Sequence, residues 1–161
     1  MPPNGVSVVI LNFFSINHQE ESIADHELVG HILGRSEWHF KLFHVDTLES
    51  FEMALRGGGI DLVLADYHLA GFSGLDAWEW MRAEQIDLPF VLVSGAIGEA
   101  VVADAMVRGV SDYVDKNRLN RLPMVVQRAL EHHRIKRERE QTALELVASK
   151  QRDRKSTRLN S

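Results

Sequence analysis

The stretch Asp61-Leu62-Val63-Leu64-Ala65-Asp66 decides the fold of this 161-residue chain. Four consecutive apolar residues between acids are typical of a short strand buried on both faces of a parallel sheet. Similar short apolar runs, separated by helical patterns, occur at 6–11, 40–45, 89–93 and 111–114. Strands and helices therefore alternate five times, which predicts an α/β fold with a doubly wound, five-stranded parallel sheet and flanking helices.

The predicted helices begin and end at residues that suit helix termini. Ser22 is a candidate N-cap for a helix at 24–33, and Thr47 for a helix at 48–56 that Gly57 ends. Further helices are expected at 75–84 and 99–108. The final helix is predicted to start near residue 122 and to continue past 145, which gives the fold an extended C-terminal helix.

Composition narrows the class of protein. Hydrophobic residues make up 45% and charged residues 25% of the chain, an ordinary balance for a soluble domain. The chain has no cysteine, so it has no disulfide and no thiolate metal site. Its apolar runs are too short to span a membrane, and its start does not resemble a secretory signal. We therefore expect a cytoplasmic protein with no membrane partner.

Charge is distributed unevenly along the chain. Residues 1–133 contain 9 Lys and Arg against 19 Asp and Glu, a net charge of −10, and residues 134–161 contain 9 against 4, a net charge of +5. An acidic body does not suit non-specific nucleic-acid binding, which depends on cationic contacts to phosphate. We expect no nucleic-acid partner. We interpret the basic tail as a solvated charged helix, with binding of an anionic partner as the alternative.

Three polar residues stand at or just after the ends of predicted strands: Asp66, Ser94 and Lys116. In a doubly wound sheet the carboxyl ends of the strands share one edge, so these side chains should converge there. A carboxylate, a hydroxyl and an ammonium suit reversible phosphorylation of the carboxylate. Asp66 would be the nucleophile, Lys116 and Mg²⁺ would neutralise the arriving charge, and Ser94 would hydrogen-bond the phosphoryl group.

Three segments resemble the receiver domains of response regulators, the phosphoacceptor domains of two-component systems, which have a flavodoxin-like fold. The resemblance covers about residues 20–132, and the segments are Asp61-Leu62-Val63-Leu64-Ala65-Asp66-Tyr67-His68-Leu69-Ala70-Gly71-Phe72-Ser73-Gly74-Leu75, Val91-Leu92-Val93-Ser94-Gly95-Ala96-Ile97-Gly98-Glu99 and Ala105-Met106-Val107-Arg108-Gly109-Val110-Ser111-Asp112-Tyr113-Val114-Asp115-Lys116.

The resemblance implies a role for each residue of the site. Asp66 would accept the phosphoryl group, Ser94 would be the switch hydroxyl, Tyr113 the switch aromatic and Lys116 the pocket lysine. The backbone carbonyl of His68 would be a metal ligand. The implied function is phosphorelay signalling, with a sensor histidine kinase or phosphotransfer protein as partner. The domain would not be an enzyme, beyond assisting its own phosphorylation and dephosphorylation.

The expected Mg²⁺ site departs from the family pattern. Receivers place an acidic pair after the first strand, but here Leu11 is followed by Asn12-Phe13-Phe14, and the pair Glu20-Glu21 comes later. The candidate ligands are therefore Glu20, Glu21, Asp66 and the His68 carbonyl. Three interpretations remain: an extended loop that returns the pair to the site, a degenerate pseudo-receiver acting as a phosphorylation-independent interaction module, or an error in the N-terminal sequence.

The C-terminal region divides into two predicted parts. With 1–131 as the receiver domain, residues 132–150 are interpreted as a helical linker toward a missing output domain, and a homodimer through the last helices is a further expectation. A solvated, frayed helix is the alternative. Residues 151–161 resemble translated sequencing-adaptor read-through and are interpreted as a non-native tail.

Two other classes of site fit the sequence less well. Asp66-Tyr67-His68-Leu69-Ala70-Gly71 matches the Asp-x-His-x-x-Gly motif of cobalamin-binding domains, but the later elements of that family are missing. A hydrolase built on Ser94 would require a His and an acid at suitable strand ends, and His68 is better explained by the loop after Asp66.

Overall fold

A parallel sheet of five strands forms the centre of the computed structural model, which describes residues 5–11, 21–69, 71–95 and 97–159, and all their side chains except those of 21–26. The strand order is β2-β1-β3-β6-β7. The strands of this sheet are β1 Val6–Leu11, β2 Phe40–Val45, β3 Leu62–Asp66, β6 Phe90–Ser94 and β7 Asp112–Asp115. Two further strands, β4 His68–Leu69 and β5 Phe72–Ser73, pair with each other in an antiparallel hairpin.

Helices connect the strands of the large sheet. They are α1 Glu21–Gly34, α2 Leu48–Arg56, α3 Gly74–Ala83, α4 Glu99–Val107 and α5 Leu122–Leu159, with a 3₁₀ segment at Lys116–Arg121 before α5. The predicted doubly wound α/β fold with an extended C-terminal helix is confirmed.

Two apolar layers pack on opposite faces of the sheet, as the alternation of side chains along a strand requires. In β1, Val8 and Ile10 belong to the layer that also contains Leu33 of α1 and residues of α5, among them Val125. Val9 and Leu11 of the same strand belong to the other layer, with residues of α2, α3 and α4 such as Phe51, Met81 and Ala105. This two-sided burial explains why the strands read as continuous apolar runs.

Local capping explains two helix starts. Thr47 and Ser50 form a capping box at α2, as do Ser73 and Asp76 at α3, and each box satisfies backbone N–H groups that the first turn leaves free. Gly57 ends α2 as predicted. The prediction of Ser22 as an N-cap is wrong, because α1 already begins at Glu21 and includes Ser22 in its first turn.

The chain separates into two compact units, Met1–Leu130 and Glu131–Ser161. Within the second unit, α5 is exposed along most of its length and carries ion pairs one turn apart, between Arg134 and Glu131 and between Arg134 and Glu138. Leu144, Leu146 and Val147 are exposed. In the part of the chain that the structure describes, no helix combines the length and apolar character that crossing a membrane requires.

Gly74, the first residue of α3, approaches β3 too closely for a side chain. A Cβ there would lie 2.7 Å from the backbone oxygen of Asp66 and 2.7 Å from Leu92 Cδ2. The Gly74 amide also donates to the carbonyl of Tyr67 at 3.0 Å. Glycine therefore lets the start of α3 press against the residue on which the candidate site is built.

We expect Gly74→Ala to lower the free energy of unfolding by about 1–3 kcal/mol, because the added methyl group must displace backbone or a core leucine. Urea unfolding followed by circular dichroism measures the change. Gly34→Ala is the matched control, since a Cβ at Gly34 meets nothing within 4 Å. Equal stability of the two variants would contradict the close approach.

Candidate phosphoacceptor site

Asp66 is the last residue of β3 and the centre of the site. Its side chain is only 10% exposed, and its two oxygens have different neighbours. Oδ2 lies 2.6 Å from Lys116 Nζ, and Oδ1 accepts a hydrogen bond of 3.2 Å from the backbone N–H of His68. The carboxylate is thus fixed by an ammonium on one oxygen and by an amide on the other.

The register of the sheet brings Lys116 to Asp66 from a strand that is not adjacent to β3. Asp66 pairs with Val93 of β6, and Ser94 of β6 pairs with Asp115 of β7. Lys116 follows Asp115 directly, and its stem lies 3.8 Å from the position that a Cβ on Gly95 would take. The end of β6 and the lysine stem are thus neighbours at the carboxyl edge of the sheet.

Ser94 ends β6 beside this ion pair and is fully buried. Its Oγ has no hydrogen-bond partner among the described residues. An unpaired buried hydroxyl is costly, so native structures rarely keep one without a reason. A hydroxyl held unpaired next to a candidate phosphoacceptor is suited to bind an oxygen that arrives there.

Tyr113 in β7 contacts Ser94 through the backbone. Its hydroxyl donates a hydrogen bond of 3.3 Å to the carbonyl oxygen of Ser94. Burial raises the pKa of the Tyr113 phenol above its ordinary value, and the nearby charge of Asp115 adds to this effect. The phenol therefore stays protonated, and able to donate, over the physiological range of pH.

Some contacts of the site were not predicted from the sequence. The amide of His68 donates to Asp66, the hairpin β4–β5 follows at once, and Gly71 in its turn has φ +80°. Asp115 accepts a hydrogen bond of 2.8 Å from the amide of Asn117, which is possible because a residue other than proline follows Lys116. Gly71 and Gly74 are compatible with a turn after Asp66, but no local pattern in the sequence indicates these partners.

The predicted metal ligands are only partly within the described residues. Asp66 and His68 are described, but Glu20 and the side chain of Glu21 lie outside the described part of the chain, so no structural statement covers them. Oxygen donors such as the Asp66 carboxylate and the His68 carbonyl are of the type that Mg²⁺ prefers.

The described donors alone do not make a magnesium site. Within the described ranges, no cluster of three His, Cys, Asp or Glu residues is placed to hold a metal ion. Apart from Asp66 and Lys116, the described residues that border the cavity of about 30 Å³ at this point are apolar, among them Leu11, Val29, Val93 and Leu119. One carboxylate, already bonded to Lys116, falls short of the donor set expected from the sequence.

The stability effect of removing the Ser94 hydroxyl, which has no described partner, can be compared with that of removing a hydroxyl that is hydrogen-bonded. Ser94→Ala removes a buried group without a described partner, so we expect the free energy of unfolding to stay level or to rise by up to about 1 kcal/mol. Ser111→Ala is the control, because Ser111 Oγ accepts a 3.0 Å hydrogen bond from the amide of Phe90. That variant should lose about 1 kcal/mol in urea unfolding. An equal loss in both variants would show that Ser94 Oγ is bonded in the resting protein.

Comparison with known proteins agrees with this geometry. The family model described as the response regulator receiver domain matches residues 20–127, which is more than half of the chain. The curated Methanogenesis regulatory protein FilR1 of Methanothrix harundinacea (strain 6Ac) is 30% identical over 125 residues. That match covers 73% of this chain but 27% of FilR1, so the chain spans about a quarter of that relative's length.

Solved structures show the same fold at lower identity. NtrX from Brucella abortus superposes with a TM-score of 0.69 at 23% identity, over 86% of this chain and 29% of NtrX. The signal receiver domain of an HD domain-containing protein from Pseudomonas fluorescens Pf-5 gives a TM-score of 0.66 at 18% identity, over 86% of this chain and 96% of that one. These structures share the fold, and the family match over residues 20–127 shows that the chain belongs to the response regulator receiver domain family.

Proposed function

We propose that this receiver domain takes a phosphoryl group on Asp66 from a sensor histidine kinase or a phosphotransfer protein. The observation that supports this most is the 2.6 Å contact between Lys116 Nζ and Asp66 Oδ2 at the carboxyl edge of the sheet. It sets a low-exposure nucleophile beside a fixed positive charge, which is the electrostatic arrangement that phosphoryl transfer requires.

In the proposed step, a carboxylate oxygen of Asp66 attacks the phosphorus of a phosphohistidine. The P–N bond of the donor breaks, its electron pair stays on the imidazole nitrogen, and an acyl phosphate forms on Asp66. Oδ1 is the better candidate for the attacking atom, because its described contact is a 3.2 Å bond to an amide, whereas Oδ2 is held by Lys116. Lys116 remains next to the transferred group and offsets its charge.

The response to phosphorylation would start at Ser94. Its unpaired Oγ gains a partner when it hydrogen-bonds a phosphoryl oxygen, and this favours a shift of the end of β6 toward Asp66. Tyr113 is bonded to the carbonyl of the same residue, so a shift of Ser94 changes the environment of the Tyr113 ring. The proposed switch is therefore a coupling between Asp66 and the surface that contains α4, β7 and the start of α5.

The remaining parts of the proposal concern the wider role of the domain. We infer that it acts in the cytoplasm as a signalling component and not as an enzyme, with catalysis limited to its own phosphorylation and dephosphorylation. Residues 132–150 would link it to an output domain, and the last helices would offer a surface for a homodimer. FilR1, of which this chain matches about a quarter, is named as a regulatory protein.

A second candidate function is a phosphorylation-independent interaction module on the same fold. It is favoured by the incomplete donor set among the described residues, where Asp66 is the carboxylate at the site and Lys116 already contacts it. The two functions differ in one observable property, the formation of an acyl phosphate.

Acetyl phosphate separates the two functions directly. We expect the wild-type protein, incubated with acetyl phosphate and millimolar Mg²⁺, to gain the mass of one phosphoryl group in intact-protein mass spectrometry. Asp66→Asn should not gain it, because an amide is not nucleophilic enough to attack. Asp46→Asn removes an exposed carboxylate and should label as wild type does. An unlabelled wild-type protein would favour the interaction module.

Glu20 and Glu21 are tested in the same assay. Receiver domains generally bind Mg²⁺ at their acidic site, and we propose that these two residues contribute to it here. The double variant Glu20→Gln/Glu21→Gln should then require a higher Mg²⁺ concentration for half-maximal labelling. Glu27→Gln/Glu37→Gln carries the same change of charge at exposed positions and should not. Identical Mg²⁺ dependence in both double variants would remove Glu20 and Glu21 from the site.

A further inference from the structure

A basic surface lies at the end of the sheet within an otherwise acidic domain. Residues 116–130 contain four of the nine Lys and Arg residues of 1–133 and contain no Asp or Glu. One of the four, Lys116, is directed to Asp66. The other three, Arg118, Arg121 and Arg128, are exposed.

These three arginines line a single groove between β7 and the start of α5. The groove has a volume of about 300 Å³, and Tyr113 and the two acids Asp112 and Asp115 also line it. Its residues all belong to the first compact unit of the chain. The groove therefore combines guanidinium groups with an aromatic wall.

The acids of the groove are engaged within the domain. Asp112 Oδ2 accepts hydrogen bonds from Nε and Nη2 of Arg128, and its Oδ1 accepts one from the amide of Tyr113. Asp115 caps the 3₁₀ segment through the amide of Asn117. These contacts of Asp112 and Asp115 do not involve Arg118 or Arg121.

Arg118 and Arg121 are the groups left to bind a ligand. Across the described ranges, neither of them forms an ion pair or a side-chain hydrogen bond. Each guanidinium presents several N–H donors in a fixed plane, a geometry that matches a carboxylate with two parallel hydrogen bonds. Two such groups at one groove favour an anionic occupant with more than one carboxylate.

We propose that this groove, which we call the arginine groove, binds an acidic segment of a partner protein. The net charge of −10 over residues 1–133 would repel an extended polyanion such as a nucleic acid, which must follow the surface beyond the groove. A short acidic peptide of about four residues contacts the local positive charge alone, and its aliphatic residues can pack on the Tyr113 ring.

The arginine groove is also connected to the site at Asp66. Tyr113 lines the groove and donates its hydroxyl hydrogen bond to Ser94, whose Oγ faces no described partner. A rearrangement of Ser94 on phosphorylation would move one wall of the groove. Peptide binding and phosphorylation would then be thermodynamically linked, a part of the inference that rests on the proposed function.

Fluorescence anisotropy on the full chain tests the inference. The probe is a fluorescein-labelled tetrapeptide, Leu-Glu-Asp-Leu, and its uncharged counterpart is Leu-Gln-Asn-Leu. We expect Arg118→Gln/Arg121→Gln to weaken binding of the acidic peptide by about tenfold or more, since two charge-assisted contacts are lost. Arg137→Gln/Arg139→Gln makes the same change of charge at exposed positions of α5 and should bind as wild type does. Circular dichroism verifies that each variant is folded.

Each outcome decides the inference. It is overturned if the acidic peptide does not bind, if the uncharged peptide binds equally well, if the Arg137/Arg139 variant loses binding instead, or if an oligothymidine of similar length binds more tightly. Repeating the titration after acetyl phosphate treatment tests the link, and an unchanged affinity on phosphorylated protein overturns the coupling. If acetyl phosphate does not label the protein but the acidic peptide still binds through Arg118 and Arg121, the proposed function is rejected and the arginine groove is retained.

Discussion

The contact between Lys116 Nζ and Asp66 Oδ2 is the interaction around which the site is organised. It joins the ends of β3 and β7 across β6, so it forms only if both intervening registers are correct. A shift of either strand would carry Asp66 or Lys116 away from the carboxyl edge. Because the Asp66 side chain is 10% exposed and the lysine 31%, their attraction is less screened than between freely solvated charges.

Several local features keep Asp66 in the position that this contact requires. The amide of His68 bonds its other oxygen, and α3 begins against its backbone because Gly74 has no side chain. The two apolar layers on the faces of the sheet hold β3 from both sides. Ser94 differs from these residues, because its fully buried Oγ lacks a described partner.

The sequence predicted the parts of the fold that recur along the chain, namely the buried strands and the polar residues that follow them. Each strand of the large sheet is an apolar run because both faces are buried, and the three polar residues after the strands marked the edge where Asp66 and Lys116 meet. The hairpin β4–β5 has two residues in each strand, too few for any periodicity to appear. The close approach of Gly74 to Leu92 depends on residues far apart in the chain, so no local signal predicts it.

The sequence between β1 and α1 differs from the expected pattern of an acidic pair directly after the first strand. β1 ends at Leu11, which pairs with Ala65, the residue before Asp66, whereas the family match begins at residue 20. The residue that follows Leu11 is Asn12, so the acidic pair is not adjacent to β1 in the sequence. Asp66 and Lys116 are therefore placed together by the sheet, whereas the position of the acidic pair in the sequence is separate from the end of β1.

The central claim is that Asp66 is the residue that accepts the phosphoryl group as an acyl phosphate, and chemical trapping tests it most directly. Borohydride reduces an aspartyl phosphate to homoserine, so peptide mapping by mass spectrometry after acetyl phosphate treatment identifies the residue that carried the phosphoryl group. The account predicts homoserine at position 66 in the peptide that contains β3. Homoserine at another aspartate, or none at any position in phosphoryl-donor-treated protein, would contradict it.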